Sequence, residues 1–150
     1  MGRISKENYY LDIAETVLRR ATCLRRVYGA IIVKNDEIIS TGYNGAPRGR
    51  QNCVDMGFCT REAMKIPSGE RYELCRSVHA EANAITKLAR SNNNSDGATI
   101  YITASPCIEC AKLIIQAGIK RVVYLDDYRS EDGLNLLKRV GIECIKREVE

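Results

Sequence analysis

The N-terminal part of the chain carries apolar side chains at the period of a helix. They recur three or four positions apart between residues 5 and 21, at Tyr10, Ile13, Ala14, Val17, Leu18 and Ala21. Such spacing places them on one face of a helix. Ser5 stands where its hydroxyl can cap the first turn. The pattern therefore predicts an amphipathic helix over residues 5–21.

The next apolar run is too short for a helix and is typical of a strand. Residues Gly29–Lys34 are almost continuously apolar, and a second apolar run follows at 37–41. Asn35 and Asp36 separate the two runs, and both residue types favour tight turns. The pattern predicts a β-hairpin.

The pattern then breaks down from Asn44 to about Glu70, where Gly, Pro, Arg and Cys dominate. A loop of this length inside a compact domain is usually functional, or is fixed by something other than an apolar core. We call residues 44–76 the insert. It contains Cys53, Cys59 and Cys75.

Helical and strand patterns alternate over the rest of the chain. We expect helices at 78–90, at 106–117 and at 131–140, and strands at 98–103, 120–125 and 142–146. Pro106 suits a first helical turn and Gly118 a helix end. The alternation after a hairpin predicts a three-layer α/β/α fold with right-handed crossovers. Without an internal repeat or linker, residues 1–150 are expected to form a single domain.

Composition narrows the class of partner. The chain is 45% hydrophobic and 28% charged, with a formal net charge of +4 spread along its length. It has no Trp and one Phe, so aliphatic residues must fill its core. No basic stripe with interleaved aromatics, as single-stranded nucleic acids require, is present in the sequence. A small anionic ligand fits this balance better than a nucleic acid. No signal-peptide or membrane-spanning run is present, so a cytoplasmic location is expected.

Seven cysteines are many for a chain without an export signal. In a reducing compartment such a set more often binds metal or takes part in catalysis than forms disulfides.

Two short motifs open predicted helices and together resemble a metal site. His79 and Glu81 stand two positions apart, and Cys107 and Cys110 three apart on one helical face. The positive end of a helix dipole lowers the pKa of thiols there. One imidazole and two thiolates give zinc three ligands and leave a position open for water, which marks a catalytic site. Zinc makes that water acidic, and Glu81 lies close enough to move its proton without binding the metal.

Each motif alone has a simpler interpretation. A lone Cys-x-x-Cys pair suits half of a structural zinc site or a redox pair, and a lone His at a helix start is more often a cap. His79 is the one histidine of the chain, however, and it stands beside Glu81 at the required offset. The combination, with Pro106 before the first cysteine, is the signature of zinc-dependent nucleobase deaminases.

At this level of detail the chain resembles the deoxycytidylate (dCMP) deaminases of the cytidine deaminase-like superfamily over nearly its whole length. The Gly-Tyr-Asn-Gly segment and the Cys-bearing insert point to the dCMP branch. Besides the metal motifs, the matching stretches are residues 22–26, 29–33, 41–47, 75–81 and 110–118.

The resemblance implies a mixed five-stranded sheet between helices, one catalytic zinc and conversion of dCMP to dUMP and ammonia. Glu81 would act as base and then acid in each turnover. It further implies a homo-oligomer, often a hexamer, activated by dCTP and inhibited by dTTP.

The resemblance also assigns substrate contacts. Asn44 matches the position that binds the sugar 3′-hydroxyl, although a turn residue would also suit that place. Backbone groups around Ala80 and in the loop that contains Ser105 would orient the base. Arg26 and Tyr128 are candidates for the phosphate.

Two more arginines, Arg48 and Arg50, lie in the insert and could bind effector phosphates. For each of these phosphate candidates, a solvated surface residue is an equally good interpretation.

Some dCMP deaminases carry a second, structural zinc built partly from the insert. The candidate ligands in this chain are Cys23, Cys53, Cys59 and Cys75. Relatives often have His-Cys where this chain has Asn52 and Cys53, so a His ligand is not available there. The alternative is that several of these residues are buried thiols, as we expect for Cys144.

Two rival functions share these features. A deaminase of guanine, of a tRNA adenosine or of a riboflavin precursor would carry both metal motifs. A non-catalytic, zinc-stabilised binding module could keep the fold, but the chain retains all three ligands and Glu81.

Overall fold

The structure is a computed structural model that describes residues 2–67, 70–71 and 74–147. Within that part of the chain, no helix is long and apolar enough to cross a membrane. The elements follow in chain order: α1 (Lys6–Leu18), β1 (Gly29–Lys34), β2 (Glu37–Tyr43), α2 (Cys53–Met56), α3 (Thr60–Ala63), α4 (Ala80–Ala89), β3 (Thr99–Ala104), α5 (Ile108–Gln116), β4 (Arg121–Asp126), α6 (Asp132–Arg139) and β5 (Glu143–Lys146).

The strands form one mixed sheet of five, in the order β2-β1-β3-β4-β5. β1 runs antiparallel to both β2 and β3, while β3, β4 and β5 are parallel to one another. This architecture confirms the predicted α/β fold with a mixed five-stranded sheet. The parallel half places the carboxyl ends of β3 and β4 at the same edge.

Side chains of β1 and β3 alternate between two apolar layers. Ile31 and Tyr101 face α1, where Leu11 is completely buried. Ile32 and Ile100 face the opposite layer, which contains α4, α5 and α6. Helices thus cover both faces of the sheet, and most of the core is aliphatic, as the composition predicts.

The structure agrees with one predicted boundary and departs from two others. Asn35 and Asp36 have left-handed backbone angles, with φ of 53° and 61°, as a two-residue hairpin turn requires. The insert holds the one-turn helices α2 and α3, which were not predicted, because four residues are too few to show a periodicity. α1 ends at Leu18, three residues earlier than expected.

Candidate active site

The two predicted metal motifs lie at the starts of α4 and α5. His79 is the N-cap of α4 and Cys107 the N-cap of α5, and both have extended backbone conformations. Gly42 permits the close approach of α4 to β2, since a Cβ there would lie 2.5 Å from the Ala84 nitrogen. The amide of Asn83 donates to the Tyr43 oxygen at 2.7 Å and so ties α4 to the end of β2.

The donor atoms of His79, Cys107 and Cys110 form a compact group. His79 Nδ1 lies 3.3 Å from Cys110 Sγ and 3.5 Å from Cys107 Sγ, and all three donor atoms lie within 4.8 Å of one another. Both cysteines are buried. One nitrogen and two sulfurs at this spacing suit zinc and leave a coordination position open. The predicted set of metal ligands is therefore brought together in the fold, and its chemistry fits the metal.

The two thiols of the group differ in acidity. A hydrogen bond from the Cys110 thiol lowers the pKa of Cys107, and the neighbouring His79 lowers it further. The same interaction raises the pKa of Cys110, and burial adds to the increase. The lower pKa values that the helix dipole predicts for both thiols remain a prediction for the metal-bound site.

Glu81 lies in the first turn of α4 and is 6% exposed. Burial raises the pKa of its carboxyl, and the nearby His79 partly opposes that increase. The side chain belongs to the same cleft wall as His79 and Cys107. A carboxyl group in this environment is shielded from bulk water and is close to the candidate metal position.

The cleft beside this group has an empty volume of about 740 Å³, including open solvent at its mouth. Four of the predicted substrate residues line it: Arg26, Asn44, Ser105 and Tyr128. Ala80 is completely buried in the first turn of α4 and is not part of the lining. The effector candidates Arg48 and Arg50 are exposed and lie outside the lining.

Asn44 and Ser105 hold neighbouring loops in place. Asn44 Nδ2 donates to the Arg26 oxygen at 2.8 Å, and its Oδ1 accepts from the Tyr28 nitrogen at 2.8 Å. The Ser105 hydroxyl accepts from the Tyr128 nitrogen at 2.7 Å. Both side chains therefore fix the backbone at the residues predicted to meet the phosphate.

Two further arginines line the cleft without a predicted role. Arg25 forms an ion pair with Glu62, with 2.8 Å between Nε and Oε1, and its side chain is 22% exposed. Arg61 is buried, and its Nη1 donates to the Glu70 oxygen at 3.3 Å. Glu62 and Arg61 belong to α3, which has no sequence signal. The adjacent pair Arg25 and Arg26 was the one signal that could have pointed to Arg25.

The four cysteines predicted to bind a second zinc share one neighbourhood beside the cleft. Burial raises the pKa of Cys53, and Coulombic interaction with Cys23, Cys59 and Cys75 adds to the increase. Cys23, Cys59 and Cys75 line the cleft itself. Among the described residues, no other group of three or more His, Cys, Asp or Glu side chains is placed to hold a metal ion. Cys144 is half-buried against the core.

Comparison with known proteins places this geometry in a family. The model of the cytidine and deoxycytidylate deaminase zinc-binding region matches residues 4–126. A deoxycytidylate deaminase of Schizosaccharomyces pombe is 34% identical over 142 residues, which cover 94% of this chain but only 44% of that relative. A deoxycytidylate deaminase of Mycobacterium phage D29 is 40% identical over 129 residues, covering 83% of this chain and 97% of that relative.

A solved structure extends the likeness to three dimensions. The crystal structure of the dCMP deaminase from the cyanophage S-TIM5 in complex with dCMP and dUMP matches with a TM-score of 0.78 and 34% identity. The alignment covers 97% of this chain and 100% of that one. Since the family model covers His79, Glu81, Cys107 and Cys110 together with most of the fold, the chain belongs to the cytidine and deoxycytidylate deaminase family.

Proposed function

We propose that the protein is a zinc-dependent deaminase that hydrolyses dCMP to dUMP and ammonia. One observation carries the proposal: the buried Glu81 carboxyl and the zinc-type donor group meet at one wall of a cleft that also presents arginine side chains. The names of the relatives and the dCMP and dUMP bound by the cyanophage enzyme support this substrate.

His79, Cys107 and Cys110 would hold the zinc ion. When bound, zinc supplies Lewis-acid activation of the attacking water. Cys107 and Cys110 lie on one short turn and His79 on another helix, so the site depends on the packing of α4 against α5.

Glu81 has the role of moving protons within the cleft. Its carboxylate accepts a proton from the attacking water and delivers it to the ring nitrogen beside the reacting carbon. The second water proton then goes to the leaving amine, so that the carbon–nitrogen bond breaks and ammonia departs. One carboxyl group can perform both transfers because each turnover returns it to its starting state.

The substrate contacts assigned above remain part of this proposal. Asn44 Oδ1 keeps a second lone pair and Nδ2 a second hydrogen after holding the loop, so the side chain can still meet a sugar hydroxyl. The backbone at Ala80 and Ser105 would orient the base. Arg26 and Tyr128 would meet the phosphate, and Arg25 joins them because it lines the same cleft.

A second zinc held by Cys23, Cys53, Cys59 and Cys75 is proposed as a structural site. Its support is their shared neighbourhood and mutual Coulombic interaction. Among the described residues these four sulfurs do not already form a metal-binding group, so zinc binding would require them to move closer together.

Regulation and assembly are proposed from family resemblance. dCTP would activate and dTTP inhibit, with Arg48 and Arg50 available to bind their phosphates because both side chains are exposed. Residues 1–150 would act as a single domain, in the cytoplasm, within a homo-oligomer such as a hexamer.

Ammonia release from dCMP, CMP and deoxycytidine, each with and without dCTP, tests the proposal. We expect dCMP to be preferred over deoxycytidine by about 10- to 150-fold, because a charge-assisted hydrogen bond contributes about 1.5–3 kcal/mol. Equal efficiency on the nucleoside would contradict the phosphate assignment. Activity confined to another base would favour a different deaminase, and zinc binding without turnover on any base would favour a binding module.

A further inference from the structure

The ion pair between Arg25 and Glu62 joins the insert to the wall of the cleft. Arg25 lies in the loop between α1 and β1, and Glu62 lies in α3 of the insert. Their charged atoms Nε and Oε1 are 2.8 Å apart. Arg25 is the cleft-lining member of the pair, while the Glu62 side chain is 58% exposed at the outer side.

The rest of the Arg25 loop is fixed by its backbone. The Arg25 nitrogen donates to Cys23 Sγ at 3.4 Å, and Asn44 holds the backbone at Arg26 and Tyr28. These contacts fix the backbone from which the Arg25 side chain extends. Among the contacts described for this pair, only the one with the Glu62 carboxylate fixes the position of the guanidinium group.

The Arg25 guanidinium keeps donor capacity after pairing with Glu62. Its Nη1 atom is buried and has no hydrogen-bond partner among the described residues. A buried donor without a partner is costly, and an anionic oxygen entering the cleft would supply one. Glu62 engages Arg25 through Nε, so Nη1 remains available as a donor, and an ion pair to a mostly solvated carboxylate is weak.

We infer that Glu62 is a positioning residue for substrate selection: it holds Arg25 in the orientation that discriminates a nucleoside monophosphate from the nucleoside. The inference rests on the proposed function, since it assigns the phosphate of that substrate to the Arg25 side of the cleft. It makes the insert a determinant of specificity, through a residue that does not touch the substrate.

The inference is tested by steady-state kinetics on dCMP and deoxycytidine with Glu62→Ala, Glu62→Gln and Arg25→Gln. We expect Glu62→Ala to raise KM for dCMP about three- to tenfold with kcat nearly unchanged, because a displaced donor weakens binding of the non-reacting group. Deoxycytidine turnover should stay at the parent value. Glu62→Gln should recover part of the loss, since its amide oxygen can still accept from Arg25 Nε.

Two comparisons separate this role from a structural one. In the Arg25→Gln background, Glu62→Ala should have no further effect on KM for dCMP, as expected for two residues acting through one interaction. Glu15→Ala is the matched control, since it removes an arginine–carboxylate pair with Arg147 on another part of the surface. It should leave both substrates unaffected.

The inference is overturned if Glu62→Ala changes both substrates equally, lowers kcat alone or adds its full effect in the Arg25→Gln background. These outcomes leave the proposed function intact as long as the parent protein prefers dCMP. A parent protein that turns over deoxycytidine as efficiently as dCMP would instead contradict the phosphate recognition on which the inference rests.

Discussion

Gly133 of α6 packs directly against the carbonyl group of Pro106. A Cβ at this position would overlap the Pro106 oxygen and lie 3.0 Å from the carbonyl carbon and oxygen of Cys107. The helix that follows β4 is therefore in backbone contact with the segment that carries a candidate metal ligand. Any side chain at position 133 must push that segment away or displace α6.

Gly133→Ala should weaken zinc binding at the active site by about tenfold or more, as changes in the support of metal ligands commonly do. Alanine in a helix is normally favoured over glycine by about 1 kcal/mol, so a loss here reports the overlap and not helix propensity. Competitive chelator titration measures the affinity. Asn135→Ala, on an exposed position of the same helix, is the control, and an unchanged affinity in Gly133→Ala would show that the contact does not constrain the ligand.

Glu81→Gln should retain the zinc of the active site and lose turnover by about 10²- to 10⁴-fold, because the amide cannot accept and return a proton. Metal analysis and ammonia release, made on the same preparation, check both halves of the prediction. The matched control is Glu109→Gln in the first turn of α5, where the side chain is 71% exposed. A Glu81→Gln protein that works within tenfold of the parent would remove Glu81 from proton transfer.

Cys53→Ser should reduce the zinc content from two ions per chain to one and loosen the insert, with the active-site ion retained. A structural zinc can contribute about 10 kcal/mol to folding of such a segment, which has little apolar surface of its own. Elemental analysis and limited proteolysis measure the two effects, and Cys144→Ser on β5 is the control. One zinc in the parent protein, or an unchanged content in Cys53→Ser, would leave the four residues as ordinary thiols.

Tyr10→Phe should lower stability at neutral pH, and the deficit should disappear as pH rises from about 10 to 12. The Tyr10 hydroxyl donates to the Asp36 carboxylate at 2.5 Å, and this bond, aided by burial, raises the pKa of Tyr10 to about 12. Because folding raises the pKa of Tyr10, the hydrogen bond contributes its full stability at pH values below the pKa of the unfolded chain, near 10. That contribution is lost as pH rises through the pKa of the folded protein. Urea midpoints across this range provide the measurement.

Tyr9→Phe is the control for that series, because Tyr9 is the exposed neighbour in the same helix. A deficit in Tyr10→Phe that persists unchanged at pH 12 would show that packing of the ring, and not the hydrogen bond to Asp36, explains the loss.

The fold and the metal group were predictable because their signals are local. Alternating apolar residues define the strands, and His79, Glu81, Cys107 and Cys110 fall at helix starts that caps and a proline mark. The relation of Arg25 to Glu62 was not predictable, since α3 is too short to show a period and the pairing spans 37 positions of sequence. The close contact at Gly133 was not predictable either, because it depends on the distance between two backbones, which the pattern of side chains does not encode.

The acidity of the metal-binding thiols shows a second limit. Position at a helix start predicts a lowered pKa for both Cys107 and Cys110, but which of two adjacent thiols donates to the other depends on their relative geometry. Sequence spacing places both sulfurs on one side and cannot rank them.

Gly45 and Val78 exchange two backbone hydrogen bonds, of 3.1 Å and 2.7 Å, at the base of the insert. This bridge joins the two ends of the intervening chain. A change in the length of that chain therefore need not change the position of His79. Lengthening a closed loop twofold costs only about 0.6 kcal/mol in closure entropy. The region between the two residues can therefore vary in length without moving α4, provided each variant keeps the cysteines proposed for the second zinc, the residues that line the cleft and a carboxylate that reaches Arg25.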